Sequence, residues 1–592
     1  MNNNDLERVV IEMKRIALGT SDFKTMIENN RYFIDKTLIV KDFLEDSGDI
    51  VLLPRPRRFG KTLNLSIIRY FLEKSDEDNS HLFKGLKIEK DAEIMNKQGK
   101  YPVIYLTFKD EKHNDFDGFI ESMGNRISSL YKSFYYIYDS LKFDDDRNYF
   151  DVMINRKCTV KDLEISVFRL SEFLKVYHNS KVIILLDEYD TPIHEGHFKN
   201  YYSEIVGFMR NFLSSALKDN INLEKAMITG ILFANETHYS HSFLGVSDQN
   251  KRQAFACLLN ESIFSGLNNL EVYSLLSERY SDKFGFTEKE TIDLLKYYSL
   301  DGSLTGFKAW YNGYIFGSTT IYNPWSVLSY INKPDREFMP YWVNTSENSI
   351  IKNLLAEGSE EIKLGLQTLY NGGYVETEVN EDVVMSELRN GKQNIWSFLL
   401  LSGYLKPIEK IRVKNKFIYK LAIPNYEITY LYESIIEKWF SESFICNDFN
   451  NMLKALVLGE VQLFEEYFSD YVLKSFSYFD VSGENPERVY HAFILGMLVS
   501  LNDTYEVISN RESGLGRYDV SLIPKDITKI GLIMEFKSIR INSKDTLASA
   551  MDKAITQVNK KLYDTELKAR GVNNIIKLAL VFKGKEVLIR QA

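Results

Sequence analysis

The apolar positions of this chain change period several times, and each change marks an element. Four short runs, IVLLP (50–54), YPVIYLTF (101–108), KVIILLDE (181–188) and KAMITGIL (225–232), are apolar almost throughout. Such runs read as strands buried on both faces, as in a sheet covered by helices. After the first, LNLSIIRYFLE (63–73) places its apolar residues at helical spacing. Buried strands interleaved with helices predict an α/β domain over residues 1–245.

From 246 to 345 helical patterns alternate with tight aromatic turns. Trp310, Tyr311, Tyr314, Tyr322, Trp325 and Trp342 read there as packing anchors, and Gly313 and Pro324 as turn formers. Within 346–445, NIWSFLLLSGYLKPIEKIRVKNKFIYKLAIPNYEI (394–428) reads as helix, strand, Lys-Asn turn, strand and helix. That order suits a winged-helix-like connector, which binds DNA in some proteins and transmits ATPase motion in others. Over 446–592 the pattern returns to strands, YEVISNRESGLGRYDVSLIP (505–524) and IGLIMEFKSIR (530–540), followed by a helix containing AMDKAITQVNKKLY (550–563).

At 592 residues the chain is long enough for about three or four domains. Aromatic residues are abundant, prolines are few and no low-complexity tract interrupts it, which argues against disorder. Cys158, Cys257 and Cys446 are too few and too scattered for a disulfide framework or a zinc knuckle, so a reducing, cytoplasmic location is expected. MNNNDLERVV lacks a secretory pattern, and HAFILGMLVSL falls well short of the ~20 residues of a membrane span, so neither secretion nor a membrane anchor is expected. The net charge of −9 argues against a generally basic nucleic-acid coat, yet from Lys537 onward there are 12 basic and 5 acidic side chains. Such a local excess attracts phosphates, although a solvated lysine-rich surface produces the same count.

Chemistry enters at VLLPRPRRFGKTLN (51–64). A phosphate loop needs a strand, a turn with inward N–H groups, a lysine for the β/γ-phosphates, a hydroxyl for Mg2+ and a helix N-terminus facing the anion. Gly60-Lys61-Thr62 supplies turn, ammonium and hydroxyl, although Arg55 stands where such loops carry their first glycine. Downstream, the KVIILLDE strand runs into Asp187 and Glu188. Asp187 would share the Mg2+ shell with Thr62, and Glu188 would polarise the attacking water. The fourth strand brings Thr229 to the same edge, where a polar sensor of the γ-phosphate belongs. Arg57 and Arg58 bind either phosphate oxygens or the acids Asp187, Glu188 and Asp190. Two histidine pairs, His194 with His197 and His238 with His241, lie in loop-like sequence without partners at metal-ligand spacing, so surface histidines are expected.

SDF (21–23), YFIDKT (32–37), RPRRFGKT (55–62), DEYDTP (187–192), SGLNNL (265–270), WYNGY (310–314), YNPWS (322–326) and YWVNTS (341–346) together resemble the AAA-ATPase-like family of bacterial proteins, over nearly the whole chain. The resemblance implies a P-loop NTPase of the additional-strand, catalytic-glutamate type with a helical lid over 246–345, and makes Arg55 the family's habit. The expected nucleotide contacts are Arg57, Arg58, Phe59, Gly60, Lys61, Thr62, Leu63 and Thr229, with Glu188 catalytic and Thr62 and Asp187 on the metal. Asp35-Lys36-Thr37 resembles the segment that packs over the base in related ATPases, and equally reads as a cap before LIVKDFLE.

A second constellation lies in the last domain. Glu535 and Lys537 are two apart on a strand, so both project to one face while Phe536 points to the other. Asp519 starts the preceding strand, and antiparallel pairing brings it beside Glu535. Asp519 and Glu535 would hold a hard divalent cation, leaving Lys537 to orient or deprotonate water. The order Glu487, His491, Asp519, Glu535-x-Lys537, Gln557 and Tyr563 resembles the PD-(D/E)XK nuclease superfamily, with Arg517-Tyr518 in place of the proline before the acid. Glu487 and Gln557 join the site by that resemblance, which implies a C-terminal α/β restriction-endonuclease-like domain.

The expected function is an ATP-binding and hydrolysing P-loop ATPase coupled to a metal-dependent DNA nuclease, directed against foreign or mobile DNA. The alternative is a nucleotide-switched signalling or scaffold ATPase whose nuclease-like domain binds nucleic acid or a partner without cutting. The expected cofactors are ATP and Mg2+, with Mn2+ able to serve the nuclease site. DNA is the expected partner, and an arginine finger acting in trans would require a homo-oligomer.

Overall fold

The computed structural model describes residues 13–231, 269–343, 360–370, 372–381, 392–414, 416–442, 446–475, 503–509, 519–539, 545–560 and 564–592, with isolated positions between them. The chain divides into two compact units, Met1–Glu347 with Glu376–Ile428, and Asn348–Val375 with Thr429–Ala592.

The first unit is built on a sheet of β1 (Ile50–Pro54), β2 (Val103–Thr107), β3 (Val182–Asp187), β4 (Leu223–Gly230) and β5 (Leu270–Val272), in the order β2-β3-β4-β1-β5. Every neighbouring pair is parallel, so all carboxyl ends share one edge, the side on which such sheets bind ligands. All positions of β1 and β3 are buried, which is why their sequences are apolar without alternation. The helices Phe116–Ser133, Ser166–His178 and Tyr202–Leu217 cover one face with a continuous core that includes Ile104, Ile184, Phe212 and Leu213. β4 lies between β1 and β3, with Leu53 opposite Thr229 and Leu186 opposite Ile228. Thr229 therefore stands between the end of β1 and Asp187.

Beyond the sheet, β6 (Phe286–Thr287), β7 (Tyr314–Phe316) and β8 (Thr319–Tyr322) form a small antiparallel sheet. The helix Glu288–Tyr297 follows β6 through a capping box between Thr287 and Glu290. A further sheet joins β9 (Val375–Glu378), β10 (Lys406–Val413) and β11 (Lys416–Ala422), with β11 in the middle. The helix Lys392–Leu401 precedes the β10–β11 hairpin, giving the helix-strand-turn-strand order anticipated from the sequence.

Some local expectations need correction. Pro324 does not make a turn: it opens the helix Pro324–Asn332, whose N-cap Asn323 accepts from the N–H groups of Trp325 and Ser326. Gly313 is a turn residue, with φ of 94° and its Cα too close to the Pro424 carbonyl for a side chain. The His194 pair lies on the helix Thr191–Lys199 rather than in a loop, and His194 is buried against Asp190 at 3.6 Å instead of on the surface. The amphipathic spacing of TPIHEGHF turns His194 inward with Ile193. His238 and His241 lie outside the described residues. Asp35 is not the N-cap of the helix Ile39–Leu44, a position held by Leu38, but its carboxylate accepts from the Thr37 N–H and hydroxyl just before it.

In the second unit, β12 (Tyr505–Ser509), β15 (Val520–Pro524), β16 (Gly531–Ile539), β17 (Ile575–Lys583) and β18 (Glu586–Gln591) form one sheet in that order, beside the short hairpin of β13 (Glu512–Ser513) and β14 (Gly516–Arg517). Only β16 and β17 run parallel, and the helix Leu547–Lys560 crosses between them. Strand alternation splits the sheet's contacts. Met534, Phe536, Leu578 and Leu580 pack with the helices Cys446–Leu458 and Val461–Ser475, whereas Ala579 and Val581 pack with Met551 and Ala554 of the crossover helix. Glu535 belongs to that second face.

Candidate functional sites

In the first unit, the loop after β1 turns through Arg58 and Gly60, which have φ of 68° and 89°, before the helix Lys61–Leu72 begins. A left-handed arginine is strained, and strain of this kind gathers where a ligand is held. Phe59 pins the loop from below: it is 1% exposed, its ring lies 5.0 Å from Tyr314 and 5.3 Å from Phe316, and its carbonyl accepts from Gly285. The Lys61 ammonium is folded back onto the Arg55 and Pro56 carbonyls at 3.0 and 3.1 Å. Burial lowers its pKa, against the pull of Glu188, Asp190 and Asp187.

Asp187 is fully buried at the end of β3. Its carboxylate accepts from Thr62 at 2.8 Å, Thr229 at 2.7 Å and Thr107 at 3.3 Å, so four elements meet on one side chain. Thr229 thus stands behind Asp187, where its hydroxyl also accepts from the Glu188 N–H at 3.4 Å. Glu188 has φ of 51°, and burial pushes its carboxyl up while Lys61 acts in the opposite sense. Asp190 accepts from Ile231 at 2.6 Å.

Arg55 takes neither the nucleotide's side nor the solvent's. Its guanidinium is fully buried, donates to the carbonyls of Pro54 and Tyr273, and lies 5.2 Å from the Phe284 ring and 5.5 Å from Phe316. Burial pulls its pKa down to about 9, and Nε and Nη2 have no hydrogen-bond partner among the described residues. The position usually given to glycine thus ties the loop to Tyr273, Phe284 and Phe316. Arg58 lies with its guanidinium 4.3 Å from the Trp325 ring, so Trp325 faces the site and is not only a packing anchor. Tyr311, Tyr314, Tyr322 and Trp342 are buried as anticipated.

A cavity of about 570 Å3 opens above the loop. Its lining mixes the polar side chains of Arg57, Arg58, Lys61, Thr62, Glu188, Lys109 and Lys112 with the apolar ones of Leu63, Met26, Phe33, Phe286, Pro324 and Leu328. Lys36 also lines it, joined to Glu290 at 2.6 Å. Cationic and apolar side chains lining one cavity suit a polyphosphate carrying a flat base. The Thr62 hydroxyl and Asp187 carboxylate at its floor are hard oxygen donors of the kind Mg2+ takes. Sequence reasoning missed Lys109 and Lys112, although their place just after β2, on the edge shared by all carboxyl ends, was a usable signal. Nothing local announced Phe284 and Phe316 as partners of Arg55.

In the second unit, β15 pairs with β16 so that Val520 faces Met534, which sets Asp519 beside Glu535. Asp519 accepts from the Phe536 N–H at 2.7 Å. Glu535 is 2% exposed, and its Oε1 lies 3.4 Å from the Lys537 ammonium and accepts from the Gln557 side chain. Gln557 sits on the crossover helix one residue before buried Val558 and three after buried Ala554, which places it at the edge of the packed face. Asp519, Glu535, Lys537 and Gln557 are therefore brought together, and two carboxylates fit a hard cation that keeps much of its water. Glu487, His491 and Tyr563 lie outside the described residues. Among the described residues no larger His, Cys, Asp or Glu cluster is set to hold a metal, and no helix is long and apolar enough to cross a membrane.

Residues 17–237 match a family model described as a predicted AAA-ATPase, and residues 485–592 one described as the PD-(D/E)XK nuclease superfamily. A protein of Azotobacter chroococcum mcd 1, described as an uncharacterized protein in the vnfD 5' region, is 25% identical over 436 residues, which cover 72% of this chain and 71% of that one. The chain thus carries an AAA-ATPase-like domain and a C-terminal domain of the PD-(D/E)XK nuclease superfamily.

Proposed function

We propose that this chain, an ATPase-like domain followed by a nuclease-like one, hydrolyses ATP at the loop of residues 55–62 and uses that cycle to govern metal-dependent cleavage of DNA at Asp519, Glu535 and Lys537. The observation that carries the reading is the meeting of Asp519, Glu535, Lys537 and Gln557 beside a buried sheet, from two strands and the crossover helix. A buried acid held between an ammonium and an amide is expensive to keep for packing alone.

At the first site Arg57 and Lys61 would bind the phosphates, Glu188 would orient the attacking water, and Asp187 would hold Thr62 in place. The interposed β4 supports the additional-strand, catalytic-glutamate reading of this sheet. Apolar residues such as Phe33 and Leu328 would exclude water from the base. At the second site Lys537 would orient or deprotonate the water, and Gln557 would hold Glu535. Bound Mg2+ would neutralise phosphate charge at either site, and Mn2+ would serve at the second. The chain would divide into four parts at 245, 345 and 445, with a helical lid of residues 246–345 over the ATP. A role against foreign or mobile DNA, and assembly into oligomers, extend the same proposal.

The test compares the wild type with Lys61→Ala and Lys537→Ala for ATP hydrolysis and for cleavage of plasmid and linear DNA with Mg2+ or Mn2+. Lys61→Ala is expected to lose hydrolysis, and Lys537→Ala to lose cleavage alone. DNA left intact by the wild type under every condition, with nucleotide-dependent binding retained, would instead make the chain a nucleotide-switched scaffold.

A further inference from the structure

None of the described residues of the β10–β11 hairpin belongs to either site. Its register sets Lys410 opposite Tyr419 and Arg412 opposite Phe417, so two cations of one strand and two rings of the other share a face. The Lys410 ammonium lies 4.3 Å from the centre of the Phe417 ring and 5.4 Å from that of Tyr419, and the Arg412 guanidinium 6.0 Å from Phe417. Lys414 follows at the turn.

The opposite face carries cations too, but they are neutralised. Lys416 pairs with Glu378 at 2.8 Å, and Lys420 with Glu409 at 2.7 Å. Among the described residues no acid pairs with Lys410, Arg412 or Lys414. Phe417 remains 45% exposed beneath its cations. The hairpin therefore segregates its charge: one face is balanced, and the other keeps a positive row on an aromatic support.

We infer that this face of the β10–β11 hairpin binds duplex DNA through its phosphates. Alternate residues of a strand lie ~7 Å apart, and a duplex presents one charge per ~1.7 Å of axis, so each cation of the row finds a phosphate. The rings limit where Lys410 and Arg412 point before binding, which reduces the ordering needed on contact. A single strand would need an open ring on which to stack a base. Phe417 has Lys410 and Arg412 over it, which favours the duplex.

The experiment titrates the full chain into a fluorescent DNA duplex over a range of salt, in EDTA and without nucleotide, so that it depends on neither ATP hydrolysis nor cleavage. The triple variant Lys410→Ala, Arg412→Ala, Lys414→Ala is expected to bind about tenfold or more weakly and to lower the slope of log K against log salt by about 2.7. Phe417→Leu keeps the charge and is expected to weaken binding a few-fold at an unchanged slope. Lys416→Ala with Lys420→Ala is expected to bind as the wild type does. A triple variant with wild-type affinity and slope overturns the inference. So does an equal loss from the opposite-face pair, or tighter binding of the wild type to single-stranded DNA than to duplex. Melting temperatures matching the wild type's show that the variants are folded.

Discussion

The Thr62 hydroxyl donates to one oxygen of the Asp187 carboxylate at 2.8 Å, and the Thr229 hydroxyl donates to the other at 2.7 Å. One buried acid thereby joins the first turn of the loop's helix to the ends of β3 and β4. Asp187→Ala leaves the buried Thr229 hydroxyl and the half-buried Thr62 hydroxyl without this acceptor, so it is expected to destabilise the first unit by about 1–3 kcal/mol and to end ATP hydrolysis. Asp187→Asn keeps the shape and most of the stability while still lowering hydrolysis about 100-fold or more. Urea titrations and steady-state hydrolysis check both.

Glu188 sits next to Lys61 electrostatically, with burial raising its carboxyl's pKa and Lys61 opposing that rise. Glu188→Gln removes the charge with little change of shape. It is expected to reduce the hydrolysis rate by about 100-fold or more while ATP affinity stays within a few-fold of wild type. Equilibrium binding of a labelled nucleotide, measured beside turnover, separates the two. A parallel loss of affinity would place Glu188 in binding rather than in chemistry.

Glu427 is fully buried, accepts from the Ser326 hydroxyl at 2.8 and 3.0 Å and from the Trp342 N–H at 2.6 Å, and burial pushes its carboxyl up to about 8 from 4.5. The folded state then holds the proton more tightly than the unfolded one. The stability this group contributes is full below its unfolded pKa and is lost as pH rises through about 8. The wild type should lose stability relative to Glu427→Gln across that window, by at most about 1.4 kcal/mol per pH unit. Urea midpoints of both proteins through the window measure it.

Gln557 donates its amide to Glu535. Gln557→Glu replaces that donor with a second acid against a side chain that is 2% exposed. The variant is expected to lose about 1–3 kcal/mol of stability in the second unit and to lose cleavage, whereas Gln557→Ala keeps more of the stability. Denaturant unfolding followed in the second unit, with DNA cleavage, provides the comparison.

Much of this arrangement could be read along the chain. Uninterrupted apolar runs announced β1 to β4, because a strand covered on both faces has no solvent side to alternate with. The two-residue step from Glu535 to Lys537 announced a shared face for the same kind of local reason. Helix and hairpin order between 392 and 422 followed from period and turn residues. Reading failed where a helix face was taken for a loop, as at His194, or where an aromatic read only as a packing anchor, Trp325, also lies against the Arg58 guanidinium.

The sequence alone thus determined the strands, the loop, and which acids end which strands, since periodicity and spacing are local properties of a chain. Tertiary structure decided which distant groups meet. It placed Arg55 between Phe284 and Phe316, set Lys36 against Glu290, brought Gln557 to Glu535 and put Thr229 behind Asp187. Those pairings depend on strand order and on which helix faces are covered. They are fixed by the burial of a shared core, which no short window of sequence contains.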